Sequence, residues 1–140
     1  MSMDTNTQRP RVGVGIYIRK DGKILMGKRK GKHAGSTWCA PGGHLEQGES
    51  WEACARREVS EETGLEIDNI HFGNATNDIY PDGKHYVTVQ MIADWKSGVP
   101  QTLEPDKFES GWEWRSLDDL PEPRMISFEN FIKSGYNLFT

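Results

Sequence analysis

Residues 42–67, GGHLEQGESWEACARREVSEETGLEI, set a helix between two glycine stops and load it with acid. Ser50 is placed to cap the helix, Trp51 to Thr63 carry good helix formers, and Gly64 stands at the expected C-terminal stop. Glu58, Glu61 and Glu62 then fall at i, i+3 and i+4, so their carboxylates share one face within about one turn. Like charges that close raise one another's pKa and destabilise the bare helix, so something must compensate them. A solvated acidic surface is one way out. Hard divalent cations are the other: Mg²⁺ typically takes one or two carboxylates, several waters and phosphate oxygens. Three neighbours favour the cation. The helix is entered through glycines whose backbone can approach a ligand closely. Arg57 is positioned to pair with Glu61 or with an acid outside the helix. Glu49 sits at the helix start, where its charge suits the dipole.

The flanking sequence supplies a sheet. Val12, Val14, Ile16 and Ile18 alternate as in a strand with one buried face. Lys20-Asp21-Gly22 gives a tight hairpin turn into a second strand, Lys23 to Lys28. Arg29 to Thr37 is a polar, basic loop, Trp38 to Ala40 a short apolar piece, and Pro41-Gly42-Gly43 a break in regular structure. Within the helix, Trp51, Ala55 and Val59 recur every fourth residue as a narrow inward stripe. Leu65 to Ala75 and Tyr86 to Trp95 read as strands around a Pro81-Asp82-Gly83 turn, with Val87, Val89 and Met91 on one face. Ser97 to Ser110 is a loop, Trp112 to Arg115 a short strand, and Ile126 to Ser134 a C-terminal helix. The expectation is one α/β domain over residues 11–140 behind a loose or extended segment, 1–10.

Charge constrains the ligand. The formal net charge is −4, with acids and bases scattered rather than gathered in the basic stripe that nucleic-acid polymers require. An acidic protein binds a polyphosphate only if bound cations reverse the local field, so a phosphate substrate implies a metal. No apolar run is long enough to span a bilayer, and MSMDTNTQRPR lacks the apolar core of a secretory signal. The expected address is therefore cytoplasmic, with Cys39 and Cys54 as reduced thiols.

The 42–67 segment resembles the Nudix box. That pattern is a glycine, five residues, Glu, seven residues, Arg-Glu, an aliphatic residue, any residue, Glu-Glu, any residue, Gly and an aliphatic residue. Gly43, Glu49, Arg57, Glu58, Val59, Glu61, Glu62, Gly64 and Leu65 hold those places without exception. GKRKG (27–31), PGGHLE (41–46), HYVTV (85–89), EPDKFESGWEW (104–114) and the tail Gly135 to Phe139 are similar to stretches of the MutT-like nucleotide pyrophosphatases. That subgroup includes the human thiopurine-nucleotide hydrolase and its plant relatives. The resemblance implies the Nudix fold, a mixed β-sheet sandwiched between α-helices with a loop–helix–loop catalytic motif. It also implies Mg²⁺ as cofactor, with Mn²⁺ able to substitute.

Further roles follow from the resemblance alone. Glu58 and Glu62 are expected as the main metal ligands, assisted by the Gly43 carbonyl. Glu61 is expected as a further ligand or the general base, and Arg57 and Glu49 as residues that orient the helix. Arg29 stands where related enzymes place a substrate-contacting arginine, whereas Lys30 and Lys32 read as solvated. Glu109 is either an additional metal carboxylate from a facing loop or an exposed acid. His44, inside PGGHLE, is expected at the base or the phosphates. Trp38, Trp112 and Trp114 can stack on a nucleobase or fill the core. The expected reaction converts nucleoside triphosphates, oxidised or modified ones included, to monophosphate and pyrophosphate. A nucleoside-diphosphate sugar, dihydroneopterin triphosphate or a prenyl diphosphate are the competing substrates. A non-catalytic nucleotide-binding or regulatory module is the rival of another class. A small nucleotide is the expected partner, without nucleic-acid polymer or membrane. Because members of that subgroup are often dimers, a homodimer is an expected assembly.

Overall fold

The computed structural model describes residues 8–31, 34–109 and 111–139, so Lys32 and most of segment 1–10 lie outside the described residues. Strands β1 (Arg11–Lys20), β2 (Lys23–Lys28), β3 (Trp38–Cys39) and β4 (Gly42–His44) precede helix α1 (Trp51–Thr63). Then follow β5 (Glu66–Ile79), β6 (His85–Ser97), β7 (Glu113–Ser116) and helix α2 (Ile126–Lys133). The sheet runs β3-β2-β1-β6-β5, with β7 paired to β2 and β4 to β1. It is mixed: β1 and β6 are parallel over nine residue pairs, and the other pairings are antiparallel.

Helices cover both faces, and this explains a departure from the alternation in β1. Val14, Ile16 and Ile18 pack with Val89 and Met91 against Cys54, Ala55 and Val59 of α1. Tyr17, on the opposite face, packs with Ile24, Met26 and Ile92 against Phe128 and Phe131 of α2. The Tyr17 ring stacks on Phe131 at 4.0 Å between centroids. A strand buried on both sides loses the polar half of its alternation. The expected α/β sandwich is therefore the observed one, with α1 and α2 as its outer layers.

Three local readings change. Pro41-Gly42-Gly43 leads not to a loop but to β4, whose Gly43 and Gly42 face Val14 and Gly15. A Cβ on Gly42 would stand 2.3 Å from the Val14 carbonyl oxygen, so the strand exists because its residues are glycines. The stripe of α1 also rotates. Trp51 is 44 % exposed and rests on Phe72, while Cys54, Ala55, Glu58, Val59 and Glu62 face inward. The last two turns of α1 thus press acid against the sheet. Ser50 caps the helix by accepting from the Ala53 N–H, and Gly64 closes it in the left-handed region (φ 74°). Strand β5 runs past the expected end at Ala75 to Ile79, accommodating its length with register shifts. Among the described residues no helix is long and apolar enough to cross a membrane.

Candidate active site

The two inward glutamates meet β4 from below. Glu58 is 6 % exposed, and its carboxylate lies so close under Gly43 that a Cβ there would stand 2.4 Å from Cδ and from both oxygens. Glu62 is fully buried. Its Oε1 accepts from the Gly42 N–H at 2.8 Å, and its Oε2 pairs with Lys107 Nζ at 3.1 Å. Burial pushes both carboxyls up. Glu62 reaches about 7 although Lys107 and the Gly42 amide oppose the shift, and Glu58 rises against the pull of Arg57 and Lys107. The pair is short of positive charge.

Arg57 organises the outer side. It donates Nε to Glu49 Oε2 at 2.7 Å and Nη2 to Glu49 Oε1 at 3.0 Å, a two-pronged grip on one carboxylate. Its Nη1 donates to Glu58 Oε1 at 2.8 Å and more loosely to Glu61 Oε2 at 3.4 Å, and Nη2 also reaches the His44 carbonyl. These bonds draw Glu49 down to about 2 and raise the guanidinium further above its ordinary value. Both partners expected for Arg57 are therefore present, and one guanidinium ties the loop before α1 to the carboxylates on it.

The glutamates do not act as one face. Glu61 is half exposed on the solvent side of Arg57 and does not line the cleft. Among the described residues no three acidic, histidine or cysteine side chains converge on a point suited to a metal ion. What the arrangement offers is Glu58 and Glu62, two buried hard-oxygen groups beside a backbone kept free of side chain at Gly43. That set fits a cation that takes one or two carboxylates and fills its remaining positions with water and phosphate.

Beside the pair opens a cleft of about 370 Å³ between β1, β4 and β6. Arg29, Lys84 and Lys107 line it, together with His44, Tyr86 and Glu58. The Arg29 guanidinium lies over the Phe108 ring at 5.5 Å, and its Nε is buried without a hydrogen-bond partner. His44 stacks on Tyr86, with Nε2 2.9 Å from the phenol oxygen. Burial and the surrounding cations Arg11, Lys107, Lys84 and Arg29 push its pKa down.

Other expected residues lie elsewhere. Trp38 sits in β3 beneath Arg115 and packs against the α2-side core, outside the cleft lining. Glu109 pairs loosely with Lys28 at 3.7 Å and is likewise outside the lining. Trp114 and Trp112 both pack against the α1-side core, and Trp112 also covers Gly27 and Phe108. Cys39 and Cys54 are free, buried thiols, each pushed by burial to about 12. Lys107, Lys84 and Tyr86 were not singled out in the sequence. Each lies within or beside a segment carrying the resemblance, but no spacing rule joins them to the glutamates 22 to 49 positions away.

Fold and site together define a Nudix domain. The NUDIX domain family matches residues 9–133, and the chain belongs to this family of pyrophosphate-bond hydrolases. Among solved structures it is similar to the MutT NUDIX hydrolase from Burkholderia pseudomallei. The two are 35 % identical with a TM-score of 0.80, over 88 % of this chain and 98 % of that one. It is also similar to the oxidized purine nucleoside triphosphate hydrolase of Danio rerio, 29 % identical over 79 % of this chain and 69 % of the relative. The NAD-capped RNA hydrolase NudC of Vibrio atlanticus is 32 % identical over 76 % of this chain, and the match spans only 38 % of NudC's length.

Proposed function

We propose that this chain hydrolyses nucleoside triphosphates to the monophosphate and pyrophosphate with the help of Mg²⁺. The observation that carries the reading is one cleft where Glu58, held under Gly43, shares the wall with Arg29, Lys84 and Lys107. Carboxylates at one end suit a metal and the cations suit a polyphosphate chain, in a protein whose net charge would otherwise repel it. The likeness to the zebrafish oxidized purine nucleoside triphosphate hydrolase supports a nucleoside triphosphate over a sugar or prenyl diphosphate.

Glu58 and Glu62, with the Gly43 carbonyl, are assigned to the metal, and Glu109 and Trp38 are given no part. When bound, the metal supplies a lowered pKa for water and charge neutralisation on phosphoryl oxygens. Arg57 holds Glu58 in place and is itself held by Glu49, so both are positioning residues. Arg29, with an unpartnered Nε on the cleft side of Phe108, is assigned to phosphate. Glu61, expected as a further ligand or as the general base, is assigned the second role, being the box carboxylate most open to water. A panel of nucleoside triphosphates and isoprenoid diphosphates, assayed with Mg²⁺ for phosphate and pyrophosphate separately, tests the reading. Pyrophosphate with monophosphate is expected. Orthophosphate alone from a triphosphate overturns the product assignment, and turnover confined to prenyl diphosphates overturns the substrate class.

A further inference from the structure

The end of the cleft away from the glutamates is built around an amide whose orientation its neighbours dictate. Gln90 on β6 is 1 % exposed and lies opposite Gly15 of β1. Its Nε2 donates to Thr76 Oγ1 at 3.0 Å and to the Ser127 carbonyl at 3.1 Å, which uses both amide hydrogens. The Thr76 hydroxyl spends its own hydrogen on Asp78 Oδ2 at 3.1 Å. Thr88 Oγ1 donates to the same oxygen, and Asn130 Nδ2 donates to Asp78 Oδ1 at 2.9 Å. Asp78 is fully buried. Both threonine hydroxyl hydrogens and an Asn130 amide hydrogen therefore run to one carboxylate. Turning the Gln90 amide over would set its oxygen against Thr76 Oγ1 and the Ser127 carbonyl, neither of which has a hydrogen to give. Hydrogen-bond logic thus fixes the assignment of O and N.

Gln90 Oε1 consequently points the other way, into the space a Cβ on Gly15 would fill, 2.8 Å from that position. Among the described residues no donor reaches it. Gly15, Thr88 and Gln90 all line the cleft, so the group shown to a ligand there is a rigid, unpaired acceptor. Thr88, its hydrogen committed to Asp78, presents lone pairs as well. An unpaired acceptor held in the wall of the cleft selects a ligand group that carries an N–H. It disfavours a hydrocarbon tail, which would leave the carbonyl unpaired.

We propose that Gln90 Oε1 is a specificity-determining acceptor that reads an exocyclic amino hydrogen on the base of the nucleotide substrate. This rests on the nucleoside-triphosphate reading above.

The test is hydrolysis of triphosphate pairs that differ by one amino group: guanosine against inosine, adenosine against unsubstituted purine riboside, and 2,6-diaminopurine riboside against adenosine. The enzymes compared are the unaltered chain, Gln90→Leu and Gly15→Ala. In at least one pair the unaltered enzyme is expected to favour the amino-bearing member by about tenfold to a hundredfold in kcat/KM. Gln90→Leu should collapse that ratio to within about twofold. Gly15→Ala leaves Gln90 itself in place, sets a methyl group 2.8 Å from Oε1 so that the oxygen is covered or pushed aside, and should do the same, so the test survives if the leucine variant misfolds. A general loss of packing would slow both members of a pair and leave the ratio alone. Ratios near one in the unaltered enzyme overturn the proposal, as does a preference that persists in a folded variant. If no nucleoside triphosphate is cleaved while another diphosphate is, the substrate reading itself falls and takes this proposal with it.

Discussion

Replacing Gly43 by alanine isolates the contact on which the site depends. The added Cβ would meet the Glu58 carboxyl at 2.4 Å, whereas ordinary contact begins at 3.4 Å, so the carboxylate must retreat by about 1 Å. Retreat is possible because the obstacle is the end of a side chain, but it works against the 2.8 Å bond from Arg57. A 1 Å displacement of a reacting or ligating group costs on the order of a hundredfold in rate, about 2.7 kcal/mol of transition-state stabilisation. Gly42→Ala provides the contrast. There the Cβ meets the Val14 carbonyl oxygen at 2.3 Å and Gly15 Cα at 3.1 Å, all of it backbone, so β4 must leave β1. The assay is Mg²⁺-dependent pyrophosphate release, with thermal melts of both variants. Gly43→Ala should melt near the unaltered protein and lose about a hundredfold in kcat/KM, while Gly42→Ala should melt well below it. The reasoning fails if Gly43→Ala keeps activity within about threefold, or if it melts as low as Gly42→Ala.

Other perturbations follow from the same contacts. Glu62→Gln removes a buried carboxylate and should cut turnover by orders of magnitude while circular dichroism shows an intact fold; near-normal activity with Mg²⁺ would remove it from the metal set. A proton competes with a metal for Glu62, whose pKa is raised to about 7. Calorimetric Mg²⁺ affinity should therefore fall about tenfold per pH unit below 7 and level off above it. The same raised value means that the contribution of Glu62 to the metal-free fold is present below its ordinary value near 4.5. It is lost as pH rises through about 7, and saturating Mg²⁺ should offset that loss in melts at pH 8. Glu49 runs in the opposite sense. Its pKa is lowered to about 2, so its stabilisation is present above about 4.5 and disappears as pH falls through 2; the melting gap between the unaltered chain and Glu49→Gln should close over that window. Asp78→Asn must turn an amide hydrogen towards a neighbour that is itself a donor, and urea titration should show a loss of about 1–3 kcal/mol.

What could be read in the sequence was local. Ser50, the run to Thr63 and Gly64 defined α1 to the residue, because caps act within a turn of the helix they bound. The Asp21-Gly22 hairpin and the β1 alternation were legible for the same reason. Trp51 was misplaced inward because four-residue spacing of apolar side chains fits several rotations of a short helix. Only packing against the sheet chose the one that buries Glu58 and Glu62. The role of Gly42 and Gly43 as a strand was hidden, since glycine pairs favour a break unless another backbone closes over them, as β1 does here. Lys107 on Glu62 and Gln90 on Thr76 join residues 45 and 14 positions apart, and no local pattern encodes such contacts.

The acidic helix therefore works differently from its first appearance. Three glutamates at i, i+3 and i+4 are not equivalent. At about 100° per residue, Glu62 lies about 40° to one side of Glu58 and Glu61 about 60° to the other. Glu58 and Glu62 fall on the sheet side and become buried, while Glu61 falls towards Arg57 and water. Their mutual repulsion is offset by two cations from outside the trio, Arg57 on Glu58 and Lys107 on Glu62. The offset is incomplete, because burial still lifts both pKa values. A site neutralised fully by its own residues would have no use for a metal. One left with two buried carboxylates above their ordinary range would gain most from a divalent ion held there, and Lys107, the cation now paired with Glu62, lines the cleft where a phosphate chain would need positive charge.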